Sequence, residues 1–289
     1  MKKRNAILIV ILLVFAVPIF AQEPNPVSDF RVRLNEAGDG VVITDYVGNS
    51  NTVIIPAQIE GYPVIELGRA CFFMKRVTSV IIPDTVKRIS YNAFSRSSIT
   101  SIYLPASVEL ISAMAFSNCN NLRSVTIDNP RLRVELARDG SYLYQEVFHR
   151  CSVLSEFILP EGMVEILPYL VRECSRLTAI NIPASVTVIG ESAFRQCGLT
   201  SVTLPSGVQK IGSFAFEGNP LTSITLPASI SEIGAQAFSG NRLTEVIIPE
   251  NVSTINFTLF DRRSRAFGLR TDNLTLSSQA ALKRVGYPD

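Results

Sequence analysis

Pro205-Ser206-Gly207-Val208-Gln209-Lys210-Ile211-Gly212-Ser213-Phe214-Ala215-Phe216-Glu217-Gly218-Asn219-Pro220-Leu221-Thr222-Ser223-Ile224-Thr225-Leu226 is one period of a chain that repeats itself. Prolines recur at Pro83, Pro105, Pro160, Pro183, Pro205, Pro227 and Pro249, evenly spaced to within one position except for the long step from Pro105 to Pro160. The long step holds two repeats. Asp128 takes the proline position one period after Pro105, and the stretch from Asp128 to Pro160 forms one repeat with an insertion. A fixed period of this kind marks stacked repeat units rather than a single globule.

The apolar positions keep register with the prolines. After Pro205 they are Val208, Ile211, Ala215, Phe216, Leu221, Ile224 and Leu226; after Pro183 they are Val186, Ile189, Ala193, Phe194, Leu199, Val202 and Leu204. Pro227 and Pro83 start the same seven columns. Leu221–Leu226 mixes apolar residues with Thr and Ser and alternates at its end, which reads as a strand closed by Pro227. Ile230 and Ile233, then Gly234 before Ala237-Phe238, read as a tight or short helical turn on the opposite side. Each unit is thus one coil of a solenoid. A lone coil exposes the face that a neighbour must cover, so stability accumulates over interfaces between coils.

The expected fold class is an α/β repeat solenoid, a horseshoe with a concave β-sheet and short helical or irregular turns on the convex side. Ten strand-bearing segments are expected, the first near 52–56 and the last near 273–276. Residues 22–56 read as an N-terminal cap with the first strand, in which Phe30–Leu34 turns at Gly38-Asp39-Gly40 into Val41-Val42-Ile43. The repeats occupy 57–260, with the insertion near 128–147, and 261–289 reads as a C-terminal cap.

Lys2, Lys3 and Arg4 precede an apolar run, Ala6 to Ala21, broken only by Pro18. Residues 1–21 therefore read as a secretory signal peptide, too short to span a bilayer comfortably. Three of the 27 basic residues lie in that leader, so the remaining chain sets 24 cations against 25 acids, a charge of −1. No later segment has the length and apolarity of a membrane span. A near-neutral chain without a long basic run lacks the cationic surface that nucleic acid requires.

The residues resemble the BspA-like, or Treponema-type, subgroup of bacterial leucine-rich repeats. That pattern is a strand ending in Leu-Pro or Ile-Pro, followed by Ser-x-Val-x-x-Ile-Gly-x-x-Ala-Phe. Ile182-Pro183 through Ala193-Phe194 matches it completely, as does Leu204-Pro205 through Phe216, and the resemblance runs from about Val53 to Phe260. It implies a curved leucine-rich repeat solenoid, export to the bacterial surface or envelope, and adhesion or ligand binding without catalysis or cofactor. Leu170-Val171 departs from the pattern where Ala-Phe is expected, and so do the caps and the insertion. The family carries no universal binding site to transfer.

Chemistry-bearing residues are few. Cys119, Cys151, Cys174 and Cys197 lie three positions after the Phe column, where other coils hold Asn219 and Asn241, and Cys71 takes the Ala position. They read as a stacked column of small buried thiols; pairing between adjacent coils stays open, and zinc lacks any CxxC or paired-histidine spacing. His149 aligns with Ser117, Arg195, Glu217 and Ser239, and reads as an exposed turn residue. One histidine and scattered acids provide no catalytic triad and no carboxylate pair. No metal or cofactor site is expected.

Alternation projects one residue column onto the concave face: Ile54, Ile81, Tyr103, Thr126 and Ile158, continuing to Ile247. Apolar residues there are either β-formers facing solvent or a contact patch. The insertion, with Arg131, Arg133, Tyr142 and Tyr144 around Asp139-Gly140, reads as an inert bulge or a recognition loop. Arg262, Arg263, Arg265 and Arg270 form a basic group read as a solvated loop. These features favour an exported, non-enzymatic scaffold that binds a protein or other macromolecule. The alternative is a periplasmic structural or assembly component.

Overall fold

A computed structural model describes residues 23–135 and 146–243, and beyond them 246, 247, 249, 252, 254 and 255. The leader, Tyr142, Tyr144, the Asp139-Gly140 turn and everything from 256 onward, including the expected C-terminal cap and its arginines, lie outside the described residues.

The chain is a β-solenoid whose coils bond to their neighbours along three strips. The first is the expected concave face. Its strands are Thr52–Ile54, Ser79–Ile81, Ser101–Leu104, Ser124–Ile127, Glu156–Ile158, Ile224–Thr225 and Val246–Ile247. Pairing is parallel, in register by one coil: Ile54 faces Ile81, Tyr103 faces Thr126, and Thr126 faces Ile158. Residues 179–182 and 201–204, expected as strands, run through this face without ladder bonding.

The second strip stands where short helical or irregular turns were expected. Short strands lie just beyond the proline column, as in Arg88–Ile89, Leu110–Ile111, Val188–Ile189, Lys210–Ile211 and Glu232–Ile233, and each pairs parallel with the next coil. The only helix among the described residues is a single 3-10 turn, Val27–Asp29, outside the repeats. The convex side is therefore extended chain and turns.

The third strip contains the Ala-Phe column, and its backbone explains why no helix forms. The residue before Ala is left-handed in Asn92, Met114, Ser192, Phe214 and Gln236, with φ between 52° and 59°. Four residues later the chain is left-handed again, at Arg96, Asn118, Gln196, Gly218 and Gly240. Two left-handed residues in each five cannot propagate a right-handed helix. Instead the amides point along the solenoid axis: Phe94 N donates to Ala115 O at 2.7 Å, Phe194 N to Ala215 O at 2.9 Å, and Phe216 N to Ala237 O at 2.8 Å.

Aromatic rings stack through the core. Tyr46, Phe72, Phe94, Phe116 and Phe148 follow one another with centroids 5.4, 4.9, 4.9 and 4.8 Å apart. Phe194, Phe216 and Phe238 continue at 5.5 Å spacing. Val171 interrupts the column, as its sequence position implies, and Phe148 turns edge-on to Phe157 at 5.2 Å. The first block of rings carries the N-terminal hairpin. Phe30–Leu34 pairs antiparallel with Val41–Tyr46, and the latter extends the second strip by pairing parallel with Tyr62–Leu67. Asn25 closes the edge of the first strip, donating its amide to Ile54 O at 2.9 Å and accepting from Ile54 N at 2.8 Å through Oδ1. Pro24 and Pro26 flank it, so this edge offers little for another strand to pair with.

Candidate interaction surface

The first-strip strands alternate cleanly, so every second residue fills the core and the ones between face out. Ser101–Leu104 runs exposed, buried, exposed, buried. Register then aligns Ile54 with Ile81, and Tyr103 with Thr126 and Ile158; the two runs meet between Ile81 and Tyr103, whose strands lie against each other without ladder bonding, and together make one row. Ile81 is 50% exposed, Tyr103 52% and Ile158 46%; Ile54 and Thr126, in the same row, are half-buried. Three large apolar side chains half open to water along one sheet face form a patch rather than scattered surface residues.

Beside the row, Tyr103 donates its hydroxyl to Asp128 Oδ2 at 3.1 Å. Desolvation raises the tyrosine pKa first, and the hydrogen bond and negative charge of Asp128, with the charge of Asp84, raise it further. Tyr103 therefore stays a neutral donor across physiological pH. Asp128, noted in the sequence only as a substitute for proline, is thus part of the surface. The signal was legible: among the described coils it is the one whose strand is not followed by proline.

The insertion residues do not join this row. Arg133 lies in the Arg133–Val134 strand of the second strip, paired with Leu110–Ile111. Arg131 sits at the corner before it, where its amide is held by Asn129 Oδ1 at 2.8 Å. Both arginines are exposed on another side of the coil. The nine residues singled out in the sequence thus divide into a coherent row of five, two arginines apart from it, and two tyrosines outside the described residues.

His149 is a correction. It is 9% exposed, not a solvent-facing turn residue. Its Nδ1 lies 2.8 Å from Glu146 Oε2, and its Nε2 lies 3.3 Å from Glu173 Oε1 in the next coil, close enough to pair but not aligned as a hydrogen bond. Arg172 bridges both carboxylates, and Arg150 Nε reaches Glu173 Oε2 at 2.7 Å. Glu146, His149, Arg172 and Glu173 are mostly buried, with Arg150 closing the group from the exposed side, and the contacts to Glu173 and from Arg172 to Glu146 run between coils, which describes an inter-coil clamp. Sequence reasoning missed it because its halves lie a full period apart in the chain, although the opposite signs at Arg150 and Glu173, one coil apart, were available.

All five cysteines are free and buried. Cys119, Cys151 and Cys174 direct Sγ to the carbonyls of Phe94, Phe116 and Phe148 at 3.1, 3.2 and 3.1 Å. Burial raises the Cys151 and Cys197 pKa well above the ordinary thiol value, which disfavours the nucleophilic thiolate. Among the described residues no group of three His, Cys, Asp or Glu could hold a metal ion, and no helix is long and apolar enough to cross a membrane.

Stacked coils that leave one long face open to a partner define a repeat-scaffold protein. The particular family is shown by sequence: the chain belongs to the BspA type leucine-rich repeat family, whose profile of six repeat copies matches residues 65–197 and 141–266. Solved structures agree on the fold. A leucine-rich repeat protein of Bacteroides ovatus is 25% identical over 80% of this chain and 60% of that one, with a TM-score of 0.62. A leucine rich cell surface protein of Faecalibacterium prausnitzii is 25% identical over 81% of this chain and 79% of that one, with a TM-score of 0.52. A leucine-rich repeat protein of Treponema pallidum is 23% identical over 92% and 97%, with a TM-score of 0.49. No curated protein shows significant similarity to the sequence. A repeat scaffold of this family supports protein interaction.

Proposed function

We propose that this protein is an exported, non-catalytic scaffold that holds a macromolecular partner at the bacterial surface, through the row from Ile54 to Ile158. The exposed side chains of Ile81, Tyr103 and Ile158 on this strip, the last two aligned in register through Thr126, carry this reading. Export is supported by the charged and apolar leader in residues 1–21, and surface location by the neighbour from F. prausnitzii described as a cell surface protein.

The test is capture of partners from intact envelope by the immobilised chain, comparing wild type with Ile81→Asp/Tyr103→Asp. Outward substitutions leave the coil core untouched, so circular dichroism and melting should be unchanged. Capture should fall roughly tenfold or more, as expected when two central apolar contacts are lost. Undiminished capture would remove the row from consideration, and selective loss in Arg131→Ala/Arg133→Ala would move the site to the inserted repeat. Digestion of the protein by protease added to intact cells tests surface exposure; full protection would place it behind the outer barrier.

A further inference from the structure

The apolar row is bordered by carboxylates. Asp84 and Asp128 follow the strands that carry Ile81 and Thr126, and Glu156 shares a strand with Ile158, exposed on the same face. Asp128 is within hydrogen-bond distance of the Tyr103 hydroxyl. Among the described residues no ion pair takes Asp84, Asp128 or Glu156, although other acidic side chains, such as Asp45, Glu109, Glu146 and Glu173, are paired with cations. The exposed cations Arg76 and Arg123 stand on the leading edge, before the strands begin, and Lys87 and Arg131 lie beyond the far edge, past the turns that follow Asp84 and Asp128.

Across the coils of Ile81 and Thr126 the order is therefore cation, hydroxyl, apolar row, carboxylate, whereas in the coil of Ile158 the carboxylate of Glu156 stands on the hydroxyl side of the row. The hydroxyl column is Ser79, Ser101 and Ser124; Ser101 faces Ser124 in register, and Ser124 faces Glu156, which continues the column. A partner seated on Ile81 and Tyr103 lies nearest the carboxylate edge. From this charge pattern we infer that the concave row selects a protein segment that is apolar and cationic, with aliphatic side chains on Ile81, Tyr103 and Ile158 and lysine or arginine toward Asp84, Asp128 and Glu156. This rests on the reading of the row as the binding surface.

The physical case is one of complementarity. Carboxylates unpaired at an apolar rim lose hydration when a partner docks, and only a cation replaces what they lose. An anionic polymer or membrane headgroup would meet the same carboxylates as repulsion. The Tyr103 ring also offers its face to a cation.

The experiment uses the full exported chain and two labelled synthetic peptides of equal length. One repeats leucine, serine and lysine, and the other carries glutamate at each lysine. The lysine peptide should bind and the glutamate peptide should not, and the binding should weaken as salt rises because rim charges are screened. Asp84→Asn/Asp128→Asn/Glu156→Gln, which keeps shape and the acceptor for Tyr103, should weaken the lysine peptide about tenfold, as expected for three surface pairs acting together. Ile81→Ser/Tyr103→Ser should abolish binding. Equal binding of both peptides, lost in the Ile81/Tyr103 variant, would overturn the charge selection while leaving the row as a binding surface. Lysine-peptide binding indifferent to Ile81 and Tyr103 would overturn the row itself. Absence of lysine-peptide binding up to about 1 mM would overturn the inference.

Discussion

Glu146 and Glu173 show how much of this molecule is decided one side chain at a time. Burial raises the Glu146 pKa, but the hydrogen bond from His149 and the charges of His149 and Arg172 outweigh it, leaving the carboxyl below its ordinary value. Glu173 is likewise raised by burial and lowered further by Arg150 and His149. A carboxylate with a depressed folded pKa binds protons less readily folded than unfolded, so its contribution is present above the unfolded value and lost as pH falls through the folded one. Glu146→Gln/Glu173→Gln should therefore melt lower than wild type at neutral pH, and the gap should close as pH falls below about 4. Thermal melts from neutral to acid pH measure this, and a gap that stayed constant would dismiss the clamp. The same residues show where sequence reading fails. Ser117, His149, Arg195 and Glu217 share a polar column, and polarity alone suggested exposure. Polar groups that find partners between coils are buried instead.

Within each coil, the turn between the Cys/Asn position and the next Leu sets the repeat length. Cys119-Asn120-Asn121-Leu122 and Cys174-Ser175-Arg176-Leu177 form the longer turn, whereas Cys197-Gly198-Leu199 and Asn219-Pro220-Leu221 are one residue shorter. In the longer form the Leu amide bonds within its own turn, Leu177 N to Cys174 O at 3.0 Å. In the shorter form it reaches an asparagine of the following coil, Leu199 N to Asn219 Oδ1 at 3.1 Å. The short turn lies close on its predecessor: a Cβ at Gly198 would stand 2.2 Å from Ser175 O. Gly198→Ala should therefore cost about 1 to 3 kcal/mol, read as a lower urea midpoint, and an unchanged midpoint would show that the turns can separate freely. Asn219 also donates Nδ2 to Phe194 O and Phe216 O at 2.8 and 2.9 Å, so Asn219→Ala should destabilise more than Cys174→Ala, which removes one weak donor. Equal losses would argue that only side-chain volume matters there. The columns announced these positions. The columns left the convex turn open between helical and irregular, because periodicity does not reveal that residues such as Phe214 and Gln236 adopt positive φ.

Among the described residues the solenoid has a seam at which all but one of its regularities fail together. The ring stack breaks at Val171, the first strip loses ladder bonding over residues 179–182 and 201–204, and the second strip divides between Arg133–Val134 and Glu165–Ile166. Only the third strip crosses without interruption, through Phe148 N to Leu170 O and Val171 N to Ala193 O, both 3.1 Å. In a stack stabilised by nearest-neighbour interfaces, a weak interface lets the two sides open separately. Hydrogen exchange should show amides around 165–182 opening before those of the coils carrying Phe94 or Phe216, and urea unfolding should occur in two steps. A single transition, with uniform protection on both sides, would show that the seam carries full coupling.

The sequence by itself determined the period, the core columns, the thiol column and the outward row from Ile54 to Ile158, because each coil meets nearly the same neighbours and so repeats the same residue demands. Its departures also named where regularity would fail: Val171 and the insertion. What only the tertiary structure decided are relations between coils: the second ladder in place of helical turns, the burial of His149 among carboxylates, and the separation of Arg131 and Arg133 from the apolar row. These depend on left-handed backbone and on which charges face each other across the roughly 4.8 Å between adjacent strands, and a linear pattern records neither.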